Sequence, residues 1–191
     1  MVHYLHSKFV RVICSFFIVI TMSTESGIVM WQAINGETSH FNNYNSFNTL
    51  MHSTILLSVL LFTIVILYLT FLFFSQKKMP ISQHYTWGIR MGFLLFLVFT
   101  LSGGYMFHIM KHTIGADDGG QGLLFFNWSV RYGDLRVAHF FGVHSLQFVP
   151  LVSYYFLQKK KQVIRFAILY AIVVITLFIL AMTSIPLISI R

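Results

Sequence analysis

Apolar residues are grouped along the chain in long runs rather than at the short periods of a soluble domain. A membrane-spanning helix needs about 20 consecutive, mostly apolar residues. Five runs meet this requirement, and they cover approximately residues 9–33, 49–74, 86–110, 136–157 and 163–187. The pattern therefore predicts an all-α fold, in which residues 1–191 form a single integral membrane domain, a polytopic bundle of about five transmembrane helices.

The first predicted span is the least regular of the five. Polar residues at positions 23–27, including Glu25, interrupt its apolar pattern, and Lys8 and Arg11 precede it. A cleaved signal peptide is the alternative interpretation, since such peptides begin with a basic region and continue with a short apolar one. No small-residue cleavage site follows cleanly, and the apolar pattern resumes at Ile28. The sequence therefore favours an uncleaved first span.

The composition supports a membrane protein and excludes several other classes. Hydrophobic residues make up 57% of the chain and charged residues only 9%, whereas a soluble domain has about 25% charged residues. The formal net charge of +8 comes from bases that stand between apolar runs, so no nucleic-acid partner is expected. The single cysteine, Cys14, allows neither an internal disulfide nor a multi-cysteine metal site.

The charged residues predict an orientation. Nine bases and no acid fall on one side of the predicted bundle: Lys8, Arg11, Lys77, Lys78, Arg90, Lys159, Lys160, Lys161 and Arg165. The other side has four bases (Lys111, Arg131, Arg136, Arg191) and all five acids (Glu25, Glu37, Asp117, Asp118, Asp134). Cytoplasmic loops carry the excess of lysine and arginine, so the N-terminus is predicted in the cytoplasm and the C-terminus outside.

Six of the nine histidines fall on the predicted outer side, and they are candidate metal ligands: His40, His52, His108, His112, His139 and His144. Positions four apart on a helix are about 40° apart around its axis, so His108 and His112 are expected to reach one metal. His139 and His144 cannot both face one point. We expect His144 to face the bundle, with Gln147 on its face and Gly142 admitting another helix. Each histidine near a helix end also has a simpler role, which is to bond a carbonyl.

Three charged residues complete the predicted site as catalytic candidates. Asp134 is placed either to cap the fourth helix or to orient a ligating imidazole. Arg136 is placed to anchor an anionic headgroup or a haem propionate. Glu25 is expected to act as a general base or a proton relay, unless the first membrane span ends near Ser23 and leaves it outside the bilayer. The glycine-rich residues 115–122 predict a flexible loop.

Two segments resemble a group of small bacterial multi-pass membrane proteins of uncharacterised function. They are Ser-His-Phe-Asn at residues 39–42, and the run from Gly133 to Gln147, with the sequence GDLRVAHFFGVHSLQ. The resemblance implies a protein of the bacterial inner membrane, but no activity. The residues to which it points are His40, Asn42, Asp134, Arg136, His139 and His144.

Three functions follow as hypotheses. The first is a redox protein whose outward-facing histidines bind haem b or a copper, iron or zinc ion, with His108, His144 and Gln147 at the cofactor and quinol as the electron donor. The second is a non-enzymatic, proton-linked transporter, sensor or assembly subunit. The third is a zinc-dependent lipid hydrolase. The expected partners are the lipid bilayer, quinol or a lipid, and a homo-oligomer or larger membrane complex.

Overall fold

A computed structural model describes residues 2–5, 7–38, 40–77 and 79–189 of the chain. Its five long helices are α1 (Lys8–Ile34), α2 (Ser46–Ser75), α3 (Gln83–Ile109), α4 (Leu135–Tyr155) and α5 (Lys160–Met182). A short 3-10 helix (Val2–Tyr4) precedes α1, and the strands β1 (Thr113–Ile114) and β2 (Gly133–Asp134) lie between α3 and α4. The all-α prediction is confirmed, and each helix begins and ends within a few residues of its predicted limits. Ser39, Lys78 and Arg191, named above, lie outside the described residues.

Four of the helices, α1, α2, α3 and α5, are long and apolar enough to cross a membrane. The chain is therefore a multi-pass membrane protein. Helix α4 has 21 residues, long enough for a crossing at about 1.5 Å per residue, but it is more polar than the other four. It runs antiparallel to α3, and its small residues Ala138, Gly142, Ser145 and Ser153 are buried, whereas His144 and Gln147 are exposed.

The chain divides into two compact units, Met1–Pro80 and Ile81–Arg191. In the first unit, α1 and α2 form a helical hairpin, and side chains cap the start of each helix. Ser7 Oγ accepts a hydrogen bond from the N–H of Val10, and Asn45 Oδ1 accepts one from Asn48. These caps satisfy backbone donors that have no partner within the helix. The loop between the two helices carries His40.

The second unit is organised around close contact between α3 and α4. A Cβ atom at Gly92 would lie 2.9 Å from both the Ser145 carbonyl oxygen and the Pro150 ring, and one at Gly142 would lie 2.4 Å from Phe99 Cβ. The close approach of α3 to Gly142 confirms the prediction that this glycine admits another helix. Small residues of this kind let membrane helices approach closely enough for backbone hydrogen bonding. The contact fixes which residues of the two helices face each other.

The connection between α3 and α4 forms an ordered cap on the ends of the helices. The strands β1 and β2 pair in it, antiparallel, and Trp128 is buried between stacked Phe126 (4.6 Å between ring centroids) and Phe140. The C-terminal end of α5 is joined to the cap, since Ser184 Oγ donates a 2.6 Å hydrogen bond to the Ile114 carbonyl. These contacts flank the predicted flexible loop, and we call residues 110–134 the cap loop.

Candidate functional site

The six outer-side histidines occupy separate environments. Within the described part of the chain, no group of three or more histidine, cysteine, aspartate or glutamate side chains is placed to hold a metal ion. His108 and His144 are exposed, as is Gln147, whereas His52 is buried in α2. The other three histidines have identifiable polar neighbours. The candidate site is thus a set of local pairs, and each pair is described below.

The first pair joins His112 to Asp118 in the cap loop. His112 Nδ1 lies 3.0 Å from Asp118 Oδ2, and the side chains are 21% and 33% exposed. The Asp118 carboxylate also accepts hydrogen bonds from the N–H groups of His112 (2.9 Å) and Thr113 (2.7 Å). The expectation that His108 and His112 share one helix face is wrong, because α3 ends at Ile109. Met110 then adopts a left-handed conformation (φ 54°), which turns the chain away before His112.

The local environment sets the protonation of this pair. Partial burial lowers the pKa of His112 below its ordinary value, and the nearby Asp118 charge offsets that effect only in part. Burial alone would raise the pKa of Asp118, but hydrogen bonds from the N–H groups of His112 and Thr113 outweigh it, so this pKa is lowered. At neutral pH, therefore, an imidazole that carries its proton on Nδ1 donates to an ionised carboxylate. The hydrogen bond to Asp117 raises the pKa of neighbouring Lys111.

The second pair is the ion pair between Asp134 and Arg136 at the start of α4. Asp134 is buried, with its side chain 1% exposed. The Arg136 guanidinium donates two hydrogen bonds to it, from Nε to Oδ1 (3.0 Å) and from Nη2 to Oδ2 (2.6 Å). The same carboxylate accepts the N–H groups of Ser129 (2.8 Å) and Arg136 (3.0 Å). The prediction that Asp134 caps α4 is confirmed. These four hydrogen bonds compensate for the loss of solvation of the carboxylate, which is why a charged group is tolerated at this buried position.

The third pair crosses from α4 to α3. Ser102 Oγ donates a 2.6 Å hydrogen bond to the Phe99 carbonyl and lies 3.1 Å from His139 Nδ1, so the His139 N–H donates to Ser102. The absence of a side chain at Gly103 makes room for the ring, since a Cβ there would lie 2.7 Å from His139 Cε1. The expectation that His144 faces the bundle is wrong. His139 takes that face, and the exposed His144 donates from Nδ1 to Phe140 of its own helix (2.7 Å).

The fourth pair lies in the helical hairpin of the first unit. His40 Nε2 is 3.9 Å from Glu25 Oε1, with side-chain exposures of 39% and 27%. Helix α1 continues to Ile34, so Glu25 lies on a helix and not in the loop that follows it. His40 has a left-handed backbone (φ 66°), and the next residue, Phe41, packs its ring 6.5 Å from the ring of His52. The loop thereby brings an imidazole back to the carboxylate in α1.

Buried amides surround this part of the hairpin. Asn42 is 1% exposed and donates to Glu37 Oε2 (3.2 Å), while its Oδ1 accepts the N–H of Tyr44. Gln32 and Asn48 are also buried, at 0% and 3% exposure. Buried amides are costly unless they are hydrogen-bonded, so their concentration here marks a polar region inside an otherwise apolar hairpin. Only Asn42 was singled out by the sequence, through the Ser-His-Phe-Asn segment.

Sequence reasoning missed two of the residues that complete these pairs. Asp118 was predicted only as an outer-side acid in the glycine-rich loop, and no prediction singled out Ser102. A signal for Ser102 was present, since a hydroxyl beside two glycines in an apolar helix is a common feature of helix contacts. Asp118 carried no comparable signal, because its partner His112 was expected on a helix.

The fold and the apolar helices define the class of the protein as a multi-pass, all-α membrane protein. No known family model, curated protein or solved structure matches the chain. The functional argument consequently depends on the pairs described above. These are two carboxylate–imidazole pairs, one serine–imidazole pair and one buried ion pair.

Proposed function

We propose that this membrane protein responds to proton concentration, as a proton-linked sensor, transporter or assembly subunit without enzymatic activity. The observation that carries the proposal is that two imidazoles each lie beside one carboxylate. His40 Nε2 is 3.9 Å from Glu25 Oε1, and His112 Nδ1 is 3.0 Å from Asp118 Oδ2. Histidine is the side chain whose ordinary pKa is nearest to neutral. Such pairs can therefore gain or lose one proton when the pH changes modestly.

The proposed topology places both pairs on the same side of the membrane. One pair depends on the loop between α1 and α2 and the other on the loop between α3 and α4. The nine uncompensated bases flank the opposite ends of the helices, which favours an outward position for both loops. A bacterial inner membrane remains a prediction, based on the sequence resemblance. The protein would then respond to protons outside the cytoplasm.

Acidification is expected to destabilise the cap loop through His112. Because the pKa of His112 is lowered in the folded protein, the unfolded chain binds this proton more readily. Stability is therefore lost progressively as the pH falls below about 6.5. The lowered pKa of Asp118 has its effect only near and below about pH 4, outside this window. We expect His112→Gln to reduce the slope of the unfolding midpoint between about pH 7.5 and 5.5.

The matched control is His108→Gln, since His108 is an exposed imidazole in the last turn of α3, five residues before β1 begins. Thermal unfolding in lipid nanodiscs, followed by tryptophan fluorescence, measures both variants, and buried Trp128 reports on the cap loop. Groups near His112 that contribute to its charge balance are Asp118, Asp134 and Arg136. An unchanged slope in His112→Gln, or an equal reduction in His108→Gln, would contradict the assignment.

A redox protein is the second candidate function, and an apolar groove favours it. The groove has a volume of about 240 Å³ and lies between α3, α4 and α5, with the Ser102 and Tyr105 side chains among apolar walls. A quinol has an apolar ring with polar oxygens, so this lining suits it. His139, oriented by Ser102, is the residue we propose as a ligand of haem b or of a copper, iron or zinc ion, because ligating imidazoles are typically oriented through their other nitrogen.

Metal analysis and an absorbance spectrum of the detergent-purified protein separate these candidates. Stoichiometric iron or copper, or a haem absorbance band that disappears in His139→Ala, would support the redox function. Zinc without a visible spectrum would support the zinc-dependent lipid hydrolase instead. For the proton-linked function we expect neither metal nor haem, and stoichiometric binding of either would overturn it. If one chain supplies only one ligand to the metal or haem, the next ligand has to come from a second copy of the protein.

A further inference from the structure

A polar cleft opens within the cap loop, and the His112–Asp118 pair of the proposed function forms part of its wall. Its volume is about 170 Å³, and its polar lining includes His112, Asp118, Gln121, Asn127, Arg131 and Arg136. Its two guanidinium groups belong to Arg131 in the cap loop and Arg136 in the first turn of α4. The cleft is therefore lined by two arginines, of which Arg136 is already paired with Asp134.

The acidic residues of the cleft are already compensated by other groups. Asp117 forms a 2.5 Å ion pair with Lys111. Asp118 accepts hydrogen bonds from two backbone N–H groups and from the His112 ring. Each carboxylate is therefore held by its own donors. Because Arg136 is paired with Asp134, Arg131 is the guanidinium group of the cleft that has no ion-pair partner among the described residues.

The guanidinium groups, by contrast, retain unused donors. Arg136 directs Nε and Nη2 to Asp134 and to the Asn127 carbonyl, and its Nη1 makes no hydrogen bond to any residue that the structure describes. The Arg131 side chain forms no ion pair or hydrogen bond within residues 2–5, 7–38, 40–77 and 79–189; only its backbone N–H is bonded, to Ser129. Two arginines thus line one cleft with donors that have no protein acceptor.

We propose that the cleft binds a phosphate group, either free or in the headgroup of an anionic lipid. The planar fork of arginine matches phosphate oxygens, and Arg136 is held in position by Asp134, so little side-chain freedom is lost when an anion binds. The adjacent turn exposes Leu124 (77%) and Phe125 (94%), as expected for a segment that dips into the membrane interface. That placement brings the cleft to the level of lipid phosphates.

The test measures two probes on the full chain. Inorganic phosphate is titrated into the protein in phosphatidylcholine nanodiscs, and phosphatidylglycerol is added in a second series; unfolding temperature and calorimetry report binding. The key variant is Arg131→Gln, an exposed position whose side chain makes no protein contact that folding requires. Lys161→Gln is the matched control, an exposed base at the opposite end of the helices. We expect Arg131→Gln to weaken binding about tenfold and Lys161→Gln to leave it unchanged.

The outcomes separate the two sources of phosphate. Arg131-dependent binding of inorganic phosphate indicates a free anion, whereas stabilisation by phosphatidylglycerol alone, again lost in Arg131→Gln, indicates a lipid headgroup. Absence of both effects overturns the proposal, as does an equal loss in Lys161→Gln, which would reflect general charge. Because the proposed proton response is measured through His112→Gln, failure of the anion site leaves that response intact, and the two failures are distinguishable.

Discussion

Replacing Asp134 by alanine is expected to destabilise the second unit by about 3–5 kcal/mol. The Asp134 carboxylate is 1% exposed and accepts four hydrogen bonds, two of them from the Arg136 guanidinium. Its removal leaves a half-buried positive charge without its partner and two backbone N–H groups without an acceptor. It also removes the cap of α4, which typically contributes about 1 kcal/mol. We expect the cap loop to open at a lower temperature than the rest of the unit.

A matched control for this variant lies in the same loop. Asp117 also forms an ion pair, with Lys111, but its side chain is 90% exposed. Exposed ion pairs contribute little, about 0–1 kcal/mol. Chemical unfolding in nanodiscs, followed by the fluorescence of the three tryptophans, should therefore show a large loss of stability for Asp134→Ala and a small one for Asp117→Ala. Equal losses would show that burial does not determine the strength of the Asp134 pair.

Substitution of Gly92 by leucine is the second change with a large expected effect. A Cβ atom at this position would lie 2.9 Å from the Ser145 carbonyl oxygen and from the Pro150 ring, and neither can move aside easily. The helices α3 and α4 would have to separate, which would also break the hydrogen bond from Ser145 Oγ to the Gly92 carbonyl (3.3 Å). Overpacking of this kind costs about 1–3 kcal/mol, and we expect the upper end of that range.

Gly104→Leu is the control, because it lies on the same helix and a Cβ there meets no atom within 4 Å. Both variants replace a helical glycine with the same residue, so the gain in helix propensity is the same for both. The difference in unfolding temperature between them isolates the close approach of α3 and α4. If Gly92→Leu unfolds no earlier than Gly104→Leu, the contact between the two helices is not as described.

The sequence predicts the helices well and the neighbours of the histidines poorly, for physical reasons. A run of about 20 apolar residues has few alternatives to a membrane helix, so the limits of α1 to α5 follow from composition. Asp134 precedes such a run, and its capping role follows as well. The contact of Asp134 with the Ser129 N–H and that of Arg136 with the Asn127 carbonyl depend on the path of the cap loop. No local pattern determines that path.

The two errors at the histidines have identifiable causes. Helix α3 ends where Met110 adopts a left-handed backbone, so His112 lies outside the helix. Met110 is neither a glycine nor a proline, so no local sequence signal marks this helix end. The choice between His139 and His144 depends on which face of α4 meets α3, and Gly103 and Ser102 determine that on the opposite helix. Periodicity within α4 separates the two histidines correctly, but it cannot say which of them faces inward.

The most direct test of the proton-linked account is a nitrogen NMR titration of the histidine rings, with the protein in nanodiscs between about pH 8 and 5. Signals are assigned with His40→Gln and His112→Gln. The account predicts that the His112 ring is neutral at pH 7 with its proton on Nδ1, and gains a second proton only below about pH 6.5. Imidazoles that keep one protonation state throughout, or ring nitrogens with the shifts of metal ligands, would contradict it.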